Sequence, residues 1–295
     1  MHTSLYGIFA AISWAFADIF IARSTRTIRP IIAAALVNLI GALFFGIYYA
    51  LFMRHQIPAD LTGIVWSSVA GFCIVLASVF FFIALQKGPI GIVSALSSTY
   101  PAVTLALALS VFGAVINSTQ ILGFAMVIVG VVATAGLHAQ SPKLKNSTAS
   151  GTWPALMAAM FWGIGYGFLA EGVSLLGWEA ASVVQFSVLA LCCLLFIVVV
   201  CIKNPENFLL LKACLNNRFI LGAAVTQQLG AILLNIGLSG DSAGGSIIVA
   251  LSACYPVLTA IMAFFIFKER IPIAALLAGA LAIAGIVVLS YGPAT

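Results

Sequence analysis

Ala95-Leu96-Ser97-Ser98-Thr99-Tyr100-Pro101-Ala102-Val103-Thr104 and Ala250-Leu251-Ser252-Ala253-Cys254-Tyr255-Pro256-Val257-Leu258-Thr259 carry the same residue at six of ten positions, and the same offset pairs Gly130 with Gly285. Both segments lie inside long apolar runs. A proline inside a helix removes one hydrogen bond and clashes with the carbonyl four residues earlier, here that of Ser97 and of Ser252. Pro101 and Pro256 are therefore read as paired helix kinks. Backbone freed at membrane depth is tolerated only where protein or a water-filled cavity satisfies it, so the pair marks a cavity wall or, in the plainer reading, shapes packing alone. A second landmark recurs earlier in each half, where Trp14, Phe20 and Ala22 fall opposite Trp162, Phe168 and Ala170.

Outward from these segments the chain is almost continuously apolar. Of its 295 residues 63% are hydrophobic and 6% charged, against roughly 25% charged in a soluble domain, and mean hydropathy is +1.22. About 20 apolar residues cross a bilayer core. Spans are predicted at 4–23, 30–53, 62–86, 89–112, 119–137, 153–175, 179–201, 219–238, 242–267 and 272–291. Each must be helical, because open sheet edges cannot face lipid and barrel strands would show short alternating segments. The fold class read here is an all-α integral membrane protein of ten transmembrane helices. The Ser-, Thr- and Lys-containing stretch 138–152 reads as a linker between a first five-helix repeat, 1–137, and a second, 153–295. Five is odd, so the second repeat enters the bilayer in the opposite sense. Inverted repeats are an architecture of secondary transporters, with sites near the midplane.

Charge excludes several classes. The net charge of +5 is scattered over short breaks with no basic stripe, which argues against nucleic acid. Breaks after odd-numbered spans hold Arg23, Arg26, Arg29, Lys87, Lys143, Lys145, Lys203, Lys212, Arg218, Lys268 and Arg270, and the other side holds only Arg54. The positive-inside rule then puts the odd breaks in the cytoplasm and both termini outside. No Lys or Arg lies deep in a span, which disfavours phosphate or other polyanionic cargo. The six cysteines and three histidines form no CxxC or metal-spaced set, so neither a metal nor another cofactor is expected. Gly163-Ile164-Gly165-Tyr166-Gly167 lies in an apolar helix with no preceding strand and reads as a packing seam, not a nucleotide loop.

Candidate site residues follow from polarity and depth. Trp66, Trp153 and Trp178 sit at span ends, where an interfacial belt explains them. Trp14 and Trp162 lie near span centres, which leaves core packing or a substrate-facing indole that stacks on rings or lies against an amine. Tyr100 and Tyr255 precede the two prolines and, with Ser97, Ser252 and Tyr166, complete the set read as substrate-binding. Asp18 is the carboxylate more than a few residues inside a span, and ionisable groups there are functional candidates by default. It either pairs a substrate ammonium or carries a coupling proton, unless it pairs with Arg23 or Arg26. Gln185, Gln227 and Gln228 add amides to spans 7 and 8, with nothing in the sequence to say which face a cavity. The spans offer no nucleophile with an acid–base pair, as an enzyme would need, and no repeated filter or charged ring, as a channel would.

The five-plus-five plan, the early Trp of each half, and the segments Ala84-Leu85-Gln86-Lys87-Gly88-Pro89-Ile90-Gly91-Ile92-Val93-Ser94 into Tyr100-Pro101 and Gly237 into Tyr255-Pro256 resemble the drug/metabolite transporter superfamily, specifically its EamA-type ten-helix members. The likeness spans essentially the whole chain. It implies a multi-pass protein of the bacterial inner membrane that moves small organic metabolites by alternating access, without a cofactor. Amino-acid export is the substrate expectation, with multidrug or amine efflux as the alternative. An acidic residue expected after span 9 is present as Glu269, and 113–116 carries no counterpart.

Overall fold

The computed structural model describes residues 4–52, 60–113, 118–139, 148–203, 214–239, 252, 255–268 and 272–290. Their regular structure is helical: α1 (Ser4–Ser24), α2 (Pro30–Phe52), α3 (Leu61–Lys87), α4 (Ile90–Ser97), α5 (Tyr100–Ser110), α6 (Ser118–Ala139), α7 (Thr148–Leu176), α8 (Trp178–Lys203), α9 (Arg218–Ser239), α10 (Tyr255–Phe267) and α11 (Ile273–Ser290). Among the described residues six stretches are long and apolar enough to cross a membrane, α4 and α5 counting together as one, and four shorter apolar helices accompany them. Turn chemistry sets several boundaries. The Asp60 carboxylate accepts from the Gly63 amide at 2.7 Å and caps α3, and Gly177, at φ 78°, makes the left-handed turn from α7 into α8. The first turn of α7 occupies the end of the stretch read as a linker, and Glu269 lies outside the described residues.

Span 4 departs from a single kinked helix. It is interrupted at Ser98-Thr99, and Pro101 stands in the first turn of α5, where a missing amide hydrogen costs nothing. At the break the Ser98 and Thr99 amides still donate to Ser94 O and Leu96 O, at 3.0 and 3.3 Å, and three hydroxyls add bonds to the preceding turn. Ser97 Oγ donates to Ser94 O at 3.1 Å, Ser98 Oγ to Ala95 O at 2.9 Å and Thr99 Oγ1 to Leu96 O at 2.6 Å. Three consecutive hydroxylated residues thus turn their polar atoms back onto their own helix instead of toward lipid.

The described residues flanking the breaks after odd-numbered spans meet at one end of the bundle. Gln86 Nε2 donates to Thr25 O at 2.9 Å, Gly88 lies against Gly151, and Arg23 lies over the rings of Phe219 and Phe267, with Arg26 also over Phe267. At the opposite end Gly63 packs on Leu175 and Leu176, and Trp66 stacks on Phe168, its ring edge-on to Phe112. Helix pairing runs largely across the two halves: α3 with α7, α1 with α9, α5 with α7, α1 with α10, and α6 with α11. The α6–α11 seam is glycine-dependent, since Gly130 abuts Ala278 and Ala282 while Gly285 abuts Gly123 and Val127. Gly163 and Gly167 likewise admit Val103 and Leu107 of α5, so the glycine run in α7 is a packing seam. Apolar side chains point outward in rows, such as Leu43, Ile47 and Leu51 on α2 and Leu191, Leu194, Leu195, Val198 and Ile202 on α8. Such surface is stable only against lipid.

Candidate functional site

Eight of the predicted spans surround a central cavity of about 130 Å³, and α6 and α11 stand apart from it. That volume is close to the roughly 150 Å³ cavity that accepts benzene in an engineered protein core. Helical spacing brings its lining together. On α1, Trp14, Ala17, Asp18 and Ile21 fall at i, i+3, i+4 and i+7, and on α9, Ala224, Gln227, Gln228, Ala231 and Leu234 follow the same rule. Tyr100 of α5, Trp162 and Tyr166 of α7, and Tyr255 of α10 close the aromatic side. Phe81, Phe82 and Phe186 also line it, as do Asn38, Ser78 and Gln185. The three phenylalanines carried no sequence signal, because apolar residues occupy every face of these helices.

The indoles are held reciprocally. Trp14 of the first half meets Tyr255 of the second edge-on, with ring centroids 5.8 Å apart at 76°. Trp162 of the second half meets Tyr100 of the first at 6.4 Å and 69°. Trp14 Nε1 donates to Gln227 O at 3.2 Å, and the ring rests on Gly230, where a Cβ would stand 2.5 Å from Nε1. Trp162 packs on Phe81 at 5.0 Å, and Tyr100 on Tyr166 at 5.0 Å.

Asp18 is 4% exposed. Its Oδ2 accepts from Ser94 Oγ of α4 at 2.5 Å and from Thr259 Oγ1 of α10 at 3.1 Å, so one carboxylate oxygen joins α1 to elements of both halves. Arg23 and Arg26 lie over aromatic rings instead. The sequence offset that pairs Trp14 with Trp162 also pairs Asp18 with Tyr166. Ser97 and Ser252 are buried but outside the cavity lining. The Ser97 hydroxyl donates to the Ser94 carbonyl of its own helix. Two cavity-lining side chains keep unmatched buried polar atoms, Gln227 Oε1 and Gln228 Nε2. The lining thus offers aromatic faces, one carboxylate, four carboxamides and no basic side chain among the described residues, which suits a small cargo with a nitrogen function and an apolar body.

Comparison with known proteins defines the class. The chain matches the EamA-like transporter family over residues 2–136 and again over 149–291. It therefore belongs to that family, within the drug/metabolite transporter superfamily, and is a multi-pass membrane transporter. It is 25% identical over 274 residues to an uncharacterized transporter of Archaeoglobus fulgidus, covering 90% of each chain. An uncharacterized protein of Methanocaldococcus jannaschii is 26% identical over 113 residues, 38% of this chain and 82% of that one. A solved crystal structure superposes with a TM-score of 0.53 at 20% identity over 97% of this chain and 96% of the other, a likeness of fold.

Proposed function

We propose that this protein is a secondary transporter that moves small neutral, zwitterionic or amine-bearing metabolites by alternating access, with amino-acid export from the bacterial cytoplasm as its role. The observation that carries the reading is the central cavity, where indoles and phenols from both halves enclose a single carboxylate with no basic side chain in the described lining. Two inverted five-helix repeats divided by the stretch near 138–152 account for the reciprocal Trp–Tyr contacts and for the family match falling once on each half. Rocking of one repeat against the other would then expose a fixed midplane site to each side in turn. Asp18, bonded to both α4 and α10, is the group we assign to a substrate ammonium or a coupling proton. An amine or drug cation is the second reading, favoured by that lone carboxylate among aromatic faces.

Counterflow in proteoliposomes tests the proposal. Vesicles loaded with unlabelled amino acids are expected to accumulate trace labelled ones transiently, and a Trp14→Ala/Trp162→Ala double variant to lose that overshoot. Absence of accumulation for every amino acid, with folded protein in the vesicles, removes the amino-acid assignment and directs the same assay to amines. A pH gradient imposed across the vesicles is expected to alter the wild-type rate but not that of Asp18→Asn. Equal responses would take the coupling role from Asp18.

A further inference from the structure

We infer that Gln228 is a specificity-determining subsite of the same cavity, whose amide N–H groups receive a hydrogen-bond acceptor of the cargo, a carboxylate or carboxamide oxygen, while Asp18 receives its nitrogen. This rests on the transport reading above and names the chemical end of the cargo that α9 recognises.

Gln228 is 5% exposed and lines the cavity, and its Nε2 has no partner. Gln227 Oε1, also on the lining helix face, has none either. A buried amide left without a partner costs stability that an apolar residue of the same shape would not, and polar groups within spans are ordinarily bonded across helices. The neighbouring amide illustrates the ordinary case: Asn38 Nδ2 donates to Ala34 O at 2.9 Å, and its Oδ1 accepts from Ser78 Oγ at 3.4 Å. The other unpartnered group, Ser67 Oγ, faces Gly172 away from the cavity, where no cargo enters.

Position completes the argument. The Gln227 carbonyl holds the Trp14 indole, which stands one helical turn before Asp18 on α1. Gln228 packs instead beside Gly41 of α2, its Oε1 3.4 Å from where a Cβ would be. Gln227 and Gln228 thus stand on the cavity face of α9, with the Trp14 indole of α1 on the Gln227 backbone and Gly41 of α2 against the Gln228 amide, and the unpartnered donor belongs to Gln228. A free N–H of a neutral amide calls for an acceptor oxygen. A site built to bond such a group discriminates against an analogue that lacks it, because its own polar atom is then left unpaired.

Binding to the purified full chain in detergent, followed by ligand-dependent thermal stabilisation, separates the possibilities with three compounds of one body: L-leucine, L-leucinamide and 3-methylbutylamine. Wild type is expected to bind the first two about tenfold more tightly than the bare amine. Gln228→Met should lower affinity for leucine and leucinamide about tenfold more than for the amine, and Asp18→Asn should weaken all three alike. Should Gln228→Met not fold, Gln228→Glu serves, and is expected to reject leucine more strongly than leucinamide. Equal wild-type affinities, no binding of any of the three, or a preference unchanged by both Gln228 variants would overturn the inference. Tight binding of the amine alone, with counterflow intact, overturns it while leaving the carrier standing.

Discussion

Gly230 shows how a single residue governs the site from outside its chemistry. The Trp14 indole occupies the space a side chain would take, and its Nε1 hydrogen to the Gln227 carbonyl depends on that approach. In Gly230→Ala the ring must move, since the added carbon would stand 2.5 Å from Nε1. Overpacking of this kind costs about 1–3 kcal/mol. The expected outcome is a folded protein with a lower unfolding temperature and at least tenfold slower counterflow, and an unaltered rate would exclude Trp14 from the cargo path. Ser67→Ala should act oppositely. Its hydroxyl is buried without a partner, so removing it is expected to leave thermal stability unchanged or slightly raised. Of the residues singled out from sequence, Trp14, Trp162, Tyr100, Tyr255, Tyr166 and Asp18 come together on one cavity, whereas Ser97 is buried outside the lining, its hydroxyl on the Ser94 carbonyl.

Helix pairs carry a different kind of constraint. At Gly130 an added Cβ would lie 2.5 Å from the Ala282 amide nitrogen and 2.7 Å from the Ala278 carbonyl, and at Gly285 it would lie 2.7 Å from both Gly123 O and Val127 N. Backbone cannot yield as a side-chain tip can, so α6 and α11 must separate. Without a hydrophobic force between helices in lipid, close packing of small residues is what holds them together. Gly130→Ala and Gly285→Ala are each expected to lower the unfolding temperature in detergent clearly, by several degrees. Gly46→Ala, where nothing lies within 4 Å, should not change it. Similar thermal curves for all three would deny the seam its role. The sequence pairing of Gly130 with Gly285 was visible in advance, but not that the two residues serve one interface. The interruption of span 4 was legible only as a proline signal. That Ser97, Ser98 and Thr99 would return their hydroxyls to the preceding turn depends on rotamers no pattern reveals.

Across the whole molecule, the charge asymmetry has a structural counterpart. Arg23, Arg26 and Arg218 share the rings of Phe219 and Phe267 at one end, while Asp60 caps α3 near the other. Eleven of the twelve Lys and Arg fall in the breaks after odd-numbered spans, and by the positive-inside rule we propose that these breaks face the cytoplasm. An alkaline phosphatase fused after Thr295 is accordingly expected to be active in a bacterial host, with Arg23 and Arg26 inaccessible to externally added reagents. An inactive fusion, paired with an active cytoplasmic reporter at the same point, would invert the orientation and turn the proposed export path around.

Hydropathy is a property of the chain read locally, so the sequence alone indicated an all-helical membrane protein and the transporter family to which it belongs. Depth along a span is equally local, which is why Trp14, Trp162 and Asp18 could be singled out before any fold was known. Facing is not local. These helices are apolar toward lipid and toward one another, so no amphipathic stripe told Gln228 from the other in-span amides, or set Phe81 and Phe186 apart from phenylalanines that meet lipid. Only the tertiary structure decided that Asp18 bonds Ser94 and Thr259 instead of an arginine, and that two glutamine side chains keep unpaired polar atoms on the cavity wall. Those outcomes depend on how helices far apart in sequence are rotated against each other, and close packing sets that rotation.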